Sequence, residues 1–350
     1  MEFNARPLRT AFILGCGATR GALSHVVFRR KRIKPPLNAD FFKVAETYAR
    51  ACGPASPEAR RVKRLERVFR EHLPVKREAL TMETAFSLLF MAKDFPEIYS
   101  AARGRRRMPG DRQEIEDFLR LTSDILTLID RDGDRHTEYD ALAAALRSQD
   151  VVISLNYDTL LDSALVRRGW DPKQGYGMAG GKDKFKWKPK KVDPNLRGVR
   201  LLKLHGSLNW FVRGSFSDLS AVFNKKPTCV EGPRMNDLSG HVRQIIPPIY
   251  GKFFDHDHWR NLWVAAHSAL READALVVIG CSLIETDFHL RALVGRVVQW
   301  RKKERAPLKR LFLVDRVKVR RRWATALKGA FSHRTNYRTF AQFMREEARR

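Results

Sequence analysis

His205 stands in Lys203-Leu204-His205-Gly206-Ser207-Leu208-Asn209-Trp210. A histidine near its reference pKa serves as a general base at neutral pH, worth about 100- to 10,000-fold in rate. The small residues beside it leave room for a ligand. Asn156-Tyr157-Asp158 offers an amide that orients a water or a ribose hydroxyl without titrating. Its Asp158 can bind an amide or hydroxyl, or simply cap the helix beginning beside it. Gly15-Cys16-Gly17-Ala18-Thr19 is a turn of the kind that lets backbone approach a phosphate at a helix start. Gly280-Cys281-Ser282 is a second glycine–hydroxyl group. Each has an ordinary structural role as well, as a core histidine or a tight connection. The dinucleotide fingerprint expects an acid about 20 residues after its glycines. Val27-Phe28-Arg29-Arg30 stands there, which argues against an ordinary dehydrogenase.

The elements that must position these residues are short apolar runs. Thr10–Leu14, Val151–Leu155, Val199–Leu204, Ala275–Ile279 and Leu311–Val314 read as strands, and the four motifs lie at strand ends. Helical spacing fills the intervals, including Thr159–Arg168, Trp259–Glu272, Asp287–Lys303 and helices around Arg321–Lys328 and Phe340–Arg349. Alternation of this kind predicts an α/β fold, a parallel sheet covered by helices on both faces. Ligands then bind at the carboxyl ends of the strands, near a topological switch point. From Asn38 to Gln149 helical spacing dominates, with helix starts at Thr81-x-x-Thr84 and Asp111-x-x-Glu114 and a loop at Arg103–Arg107. The expected division is residues 1–35 and 150–350 for the α/β domain and 36–149 for a large helical insertion, acting as lid or interface.

Composition bounds the rest. The 350 residues carry 67 Lys+Arg and 39 Asp+Glu, a net charge of +28, which points to a polyanionic partner or to plain compositional bias. The clusters are Arg29–Lys34, Arg60–Arg64, Arg103–Arg107, Lys182–Lys191 and Arg316–Arg322. In Lys182–Lys191 cations alternate with Phe185 and Trp187, a pattern suited to phosphate contact and base stacking, or to a solvated loop. Cys16, Cys52, Cys229 and Cys281 form no CxxC pair, so no disulfide scaffold or four-cysteine zinc site is expected. His256-Asp257-His258 reads as a polar helix start rather than metal ligands. No run reaches the ~18 apolar residues of a membrane span, and no signal peptide is evident; a cytoplasmic protein is expected.

The motifs Gly15-Cys16-Gly17-Ala18-Thr19, Asn156-Tyr157-Asp158, Lys203-Leu204-His205-Gly206 and Gly280-Cys281-Ser282-Leu283, in that order, resemble the sirtuin set. The resemblance covers roughly residues 10–30 and 150–330. It implies a Rossmann-like domain binding NAD⁺, with the first turn at the pyrophosphate and Thr19 where the family has serine. It places Asn156 and Asp158 at the nicotinamide-ribose end and makes His205 the catalytic base. Gly280, Ser282 and Leu283 would lie near the phosphates and ribose, and Asp315 at the adenosine ribose. Asn-Tyr-Asp-x-Leu-Leu and Gly-x-Ser-Leu-x-x-x-Asp, ending in Asp287, are most similar to sirtuin-like proteins of prokaryotic antiphage defence, which hydrolyse NAD⁺. The paired cysteines of the deacylase zinc module are missing, so NAD⁺ is expected as substrate and no metal. The implied partners are further copies of the chain, or an ATPase or Argonaute-type protein. The alternative is a silent binding module sensing nucleic acid or an ADP-ribose-type ligand.

Overall fold

In the computed structural model, described residues are 8–72, 80–94, 112–133, 137–177, 186–214, 225–231, 240–246, 257–285 and 287–347. Arg103–Arg107, Asp111, residues 182–185 and His256 lie outside them. The chain opens with β1 (Thr10–Leu14), α1 (Cys16–Ala22) and the hairpin β2 (Val26–Phe28) and β3 (Lys31–Ile33). Next come α2 (Phe41–Cys52), α3 (Pro57–His72), α4 (Met82–Asp94), α5 (Arg112–Gly133) and α6 (Thr137–Ala145). The middle holds β4 (Val151–Ser154), α7 (Leu160–Arg167), β5 (Arg200–Lys203), β6 (Gly206–Arg213), β7 (Thr228–Cys229) and β8 (His241–Ile245). The last third is α8 (Asp257–Glu272), β9 (Ala275–Ile279), α9 (Phe288–Lys303), β10 (Leu308–Val314), α10 (Val317–Ala326), β11 (Phe331–Tyr337) and α11 (Phe340–Glu347).

Six of these strands make one parallel sheet, ordered β11-β10-β9-β1-β4-β5. β1, β4 and β9 are apolar and almost wholly buried, as strands covered on both faces must be. The expected α/β class is therefore the observed one. Register matters most for the site. Leu14 lies opposite both Ser154 and Ile279, Ser154 opposite Lys203, and Ile279 opposite Val314. One row of residues thus ends five strands at the same level. The segments that follow, carrying Gly15, Asn156, His205, Gly280 and Asp315, emerge side by side. The chain runs from β1 outward through β4 and β5, then returns to β9 on the other side of β1. The switch point falls at β1.

Two strand groups differ from expectation. β11 (Phe-Ser-His-Arg-Thr-Asn-Tyr) is an exposed polar edge strand, so it lacks the apolar run that marks a buried one. The basic stretch Arg29–Lys34 includes β3 and the tip of a hairpin, with Arg29 and Arg30 at φ 45° and 65°. A small antiparallel sheet, β7-β6-β8, follows His205.

The apolar residues gather mainly in two clusters. One surrounds the large sheet and includes Tyr139, Leu142 and Ala143 of α6. The other joins α2, α3, α4 and α5 with the hairpin, centred on Phe41, Phe42, Phe86 and Phe118. Phe86 and Phe118 stack with ring centroids 3.9 Å apart. Thr81 starts α4 as its spacing predicts, accepting the Thr84 N–H at 3.1 Å. Among the described residues no helix is long and apolar enough to cross a membrane.

Candidate active site

The turns after β1 and β9 pack against each other. Gly15 N–H donates to Ile279 O at 3.1 Å and Gly17 N–H to Gly280 O at 2.9 Å. A Cβ on Gly280 would lie 1.9 Å from Ala18 N, and the residue sits at φ +60°. These glycines are thus required by turn-on-turn contact. Leu283, buried and non-glycine, holds φ +45° at the cavity edge, the sort of local strain that collects at functional sites. Gly206, at φ +82°, makes room for the Gln244 carbonyl where β5 turns sharply into β6. Its lack of a side chain serves that turn rather than a ligand.

The hydroxyl of Thr19, on α1, is a buried hub. It donates to Asp158 Oδ2 at 2.7 Å, receives Asn156 Nδ2 at 3.2 Å and lies 2.9 Å from the Tyr139 hydroxyl. A threonine hydroxyl has one proton, so Tyr139 donates to it while Asp158 is the acceptor. With Nδ2 spent on Thr19, the Asn156 amide turns its Oδ1 the other way. That oxygen is buried and has no hydrogen-bond partner among the described residues. Buried polar atoms are nearly always paired, so an orphaned acceptor in a cavity wall marks a place for a donor from outside.

Behind this hub lies a second buried layer. Lys203 Nζ donates to the Asp158 carbonyl and lies 3.3 Å from both Asp162 oxygens. Both side chains of this pair are almost wholly buried, so each charge depends on the other. Asp130, on α5, accepts the Thr159 N–H at 2.9 Å and the Thr159 hydroxyl at 2.5 Å. Burial pushes the Asp130 carboxyl well above the usual carboxylate range, and nearby Asp158 pushes it further. Burial raises Asp158 too, and Lys203 opposes that rise. The Asn156–Thr159 loop is thereby clamped from both sides.

His205 Nε2 is 3.8 Å from Asp287 Oδ2, too long for a hydrogen bond but within ion-pair reach. Asp287 caps α9 by accepting the Leu290 N–H at 3.3 Å. Tyr157 anchors its hydroxyl on Ile246 O at 2.6 Å.

Gly15, Cys16, Thr19, Asn156, Asp158, His205, Gly280, Ser282, Leu283 and Asp287 line one cavity of about 150 Å³. Gly17 and Ala18 lie under it in the turn, and Asp315 stands apart from the lining, at the end of β10. Asp315 accepts the Arg316 N–H at 2.6 Å, and burial raises its carboxyl. The roof comes from the helical segment: Pro35, Pro36, Asn38, Met82, Glu83 and Leu126. Arg20 fastens it, reaching both Asp40 oxygens at 3.1 and 2.8 Å. Sequence reading missed Tyr139, Asp130 and Asp162. Only Lys203 carried a signal, as a cation ending an apolar strand. Among the described residues no group of three or more His, Cys, Asp or Glu could hold a metal ion.

No protein-family model matches the chain, and no curated protein matches it. Solved structures of Sir2 enzymes are similar in fold. One, from work on the mechanism and regulation of Sir2 enzymes, is 13% identical with a TM-score of 0.37, covering 98% of this chain and 93% of its own. Another, a Sir2 mutant with a p53 peptide and NAD, is 13% identical with a TM-score of 0.36, covering 96% and 90%. What the protein does must therefore be read from its own site.

Proposed function

We propose that the protein is an NAD⁺ glycohydrolase, releasing nicotinamide and ADP-ribose, and that it depletes NAD⁺ as an effector of antiphage defence. The observation that carries this reading is the unpartnered Asn156 Oδ1 in the cavity it shares with His205 and Asp287. The order and composition of the strand-end motifs support NAD⁺ as the substrate. In this reading the Gly15–Thr19 turn holds the pyrophosphate, Gly280, Ser282 and Leu283 the phosphates and ribose, Asp158 the nicotinamide end, and Asp315 the adenosine ribose.

The bond that breaks joins ribose C1′ to the nicotinamide nitrogen, and water oxygen forms the new bond at C1′. Nicotinamide leaves neutral because its nitrogen was cationic, so no strong acid is needed. The transition state is oxocarbenium-like, as in other glycosyl transfers. Asn156 Oδ1 accepts a hydrogen bond from the water or a ribose hydroxyl and fixes its position. His205 takes the proton released, and Asp287 steadies the imidazolium.

Small-molecule sites usually offer about 300–1,000 Å³. The cavity here, about 150 Å³, is below that range, so a dinucleotide requires the roof to lift. This fits an enzyme held silent until a partner acts: another copy of the chain, an ATPase or an Argonaute-type protein. The same small volume favours the competing reading, a binding module without turnover. NAD⁺ incubated with the purified parent and with Asp40→Ala, which breaks the roof's ion pair, and followed by chromatography decides between them, since a binding module releases nicotinamide from neither. Asn156→Ala and His205→Ala are each expected to lower nicotinamide release at least about 100-fold. Release that survives both substitutions would sink the assignment.

A further inference from the structure

A second, larger cleft of about 1,470 Å³ opens on the far side of the Asn156–Thr159 loop. Its cations come from three places: Arg131 on α5, Arg167 and Arg168 at the end of α7, and Lys188, Lys190 and Lys191 beyond. The charges meet from separate elements, so no single helix face or solvated loop accounts for them. Arg131, Arg168 and the three lysines are exposed and make no ion pair among the described residues. Arg167 pairs with Asp140 at 2.7 Å.

The three aspartates lining the cleft are engaged elsewhere. Asp124 pairs with Arg61 at 3.2 Å, Asp130 is consumed by Thr159, and Asp193 accepts the Asn195 N–H at 2.9 Å. Glu231 is a fourth acid, and Arg243 a buried cation bonded to Thr127 at 2.5 Å. Phe28 and Tyr48, with ring centroids 5.7 Å apart, also border the cleft, but they belong to the helical core, with Tyr48 buried and Arg29 over the Phe28 ring. Trp187 is buried at 5% exposure, so its ring is not a stacking platform.

We propose that this cleft binds single-stranded nucleic acid through its phosphates. Exposed cations from separate elements converging on one recess suit a phosphate backbone, as in the positively charged grooves of single-strand binders. A volume of about 1,470 Å³ holds a few nucleotides and not a turn of duplex. Thr159 faces this cleft, whereas its neighbours Asn156, Tyr157 and Asp158 face the candidate active site. Occupancy of one cavity is thereby felt in the other through one clamped loop. That coupling rests on the glycohydrolase reading; the binding itself does not.

The test is fluorescence anisotropy of a labelled oligothymidylate of about 12 nucleotides, titrated with full-length protein at several salt concentrations. Affinity should fall as salt rises. Lys188→Glu/Lys190→Glu/Lys191→Glu should weaken binding at least about tenfold and reduce the salt slope by about 2, near 0.7 for each lost contact. The exposed single change Arg168→Glu, which disturbs folding less, should weaken it about threefold. Lys63→Glu/Arg67→Glu/Arg70→Glu on α3 makes the same charge change elsewhere and should leave binding nearly unaltered. Equal weakening by the α3 variant, unchanged binding in the cleft variants, or a duplex bound as tightly as the single strand would each overturn the proposal. Anisotropy reads binding without turnover, so failure of the glycohydrolase reading leaves this measurement intact.

Discussion

Thr19 and Asp158 are 139 residues apart in the sequence, yet their hydrogen bond of 2.7 Å fixes the orientation of a third residue. Because Thr19 gives its proton to Asp158, its lone pairs are left for Tyr139 and for Asn156 Nδ2. That Asn156 Oδ1 is left without a partner among the described residues is a consequence of that allocation. Thr19→Val keeps the shape and removes the hub. It should free the Asn156 amide to flip and lower nicotinamide release about 100-fold. Thr19→Ser keeps the hydroxyl and should retain most of the rate. Equal activity in Thr19→Val and the parent would show that the amide needs no such support.

The pair Lys203 and Asp162 makes a stability prediction. Removing one partner from a buried ion pair leaves the other uncompensated, typically at about 3–5 kcal/mol. Lys203→Met should therefore lower the urea midpoint sharply, since Lys203 also holds the Asp158 carbonyl. Lys203→Met with Asp162→Asn should recover part of the loss, because no bare carboxylate remains. A double variant no more stable than the single would refute the pairing as the cause.

Asp130 predicts a pH dependence. Its folded carboxyl is raised above the ordinary 3.8, first by burial and then by Asp158. A group that binds its proton more tightly when folded adds stability at low pH and loses it as pH rises through the folded value. Stability should thus decline from about pH 4 upward, more steeply in the parent than in Asp130→Asn. Urea unfolding at a series of pH values checks this. Parallel curves for the two proteins would remove Asp130 as the source.

Much of this architecture was legible before any coordinates. Ala275–Ile279 is a strand with the bounds its apolar run gives, and four motifs at strand ends converge because the strands end in register. What escaped was what depends on partners distant in sequence. Tyr139 reads as one more aromatic on a helix until α6 brings it to Thr19. Asp130 reads as a surface acid near the end of α5 until Thr159 closes over it. β11 escaped for a different reason, since an exposed edge needs no apolar pattern. The glycines were found, but the immediate need for Gly17 and Gly280 is each other's backbone.

Cys16 offers a direct probe of ligand entry. It is the one exposed residue among the four cysteines, all of them free, and it lines the cavity, where burial raises its thiol. A thiol-reactive chromophore should label it first, and NAD⁺ should slow that labelling if the cavity takes the dinucleotide. Cys16→Ser should remove the fast phase. A fast phase indifferent to saturating NAD⁺ would place the nucleotide elsewhere.

The roof is the last device the structure exposes. Arg20 lies on α1, part of the turn proposed to hold the substrate, and Asp40 lies on the segment that covers the cavity. Asp40 is also tied to that segment, accepting the Leu37 N–H at 2.8 Å. The ion pair is only partly exposed, at 22% and 31%, so water screens it incompletely. Breaking the latch should raise the population of open protein and not touch the reacting groups. Asp40→Ala and Arg20→Ala should therefore both raise nicotinamide release by the isolated chain, mainly through a lower KM. Asp40→Ala combined with His205→Ala should be silent, because an open cavity without its base gains nothing. If the latch variants release no more nicotinamide than the parent while remaining folded, the roof is not what holds the enzyme shut.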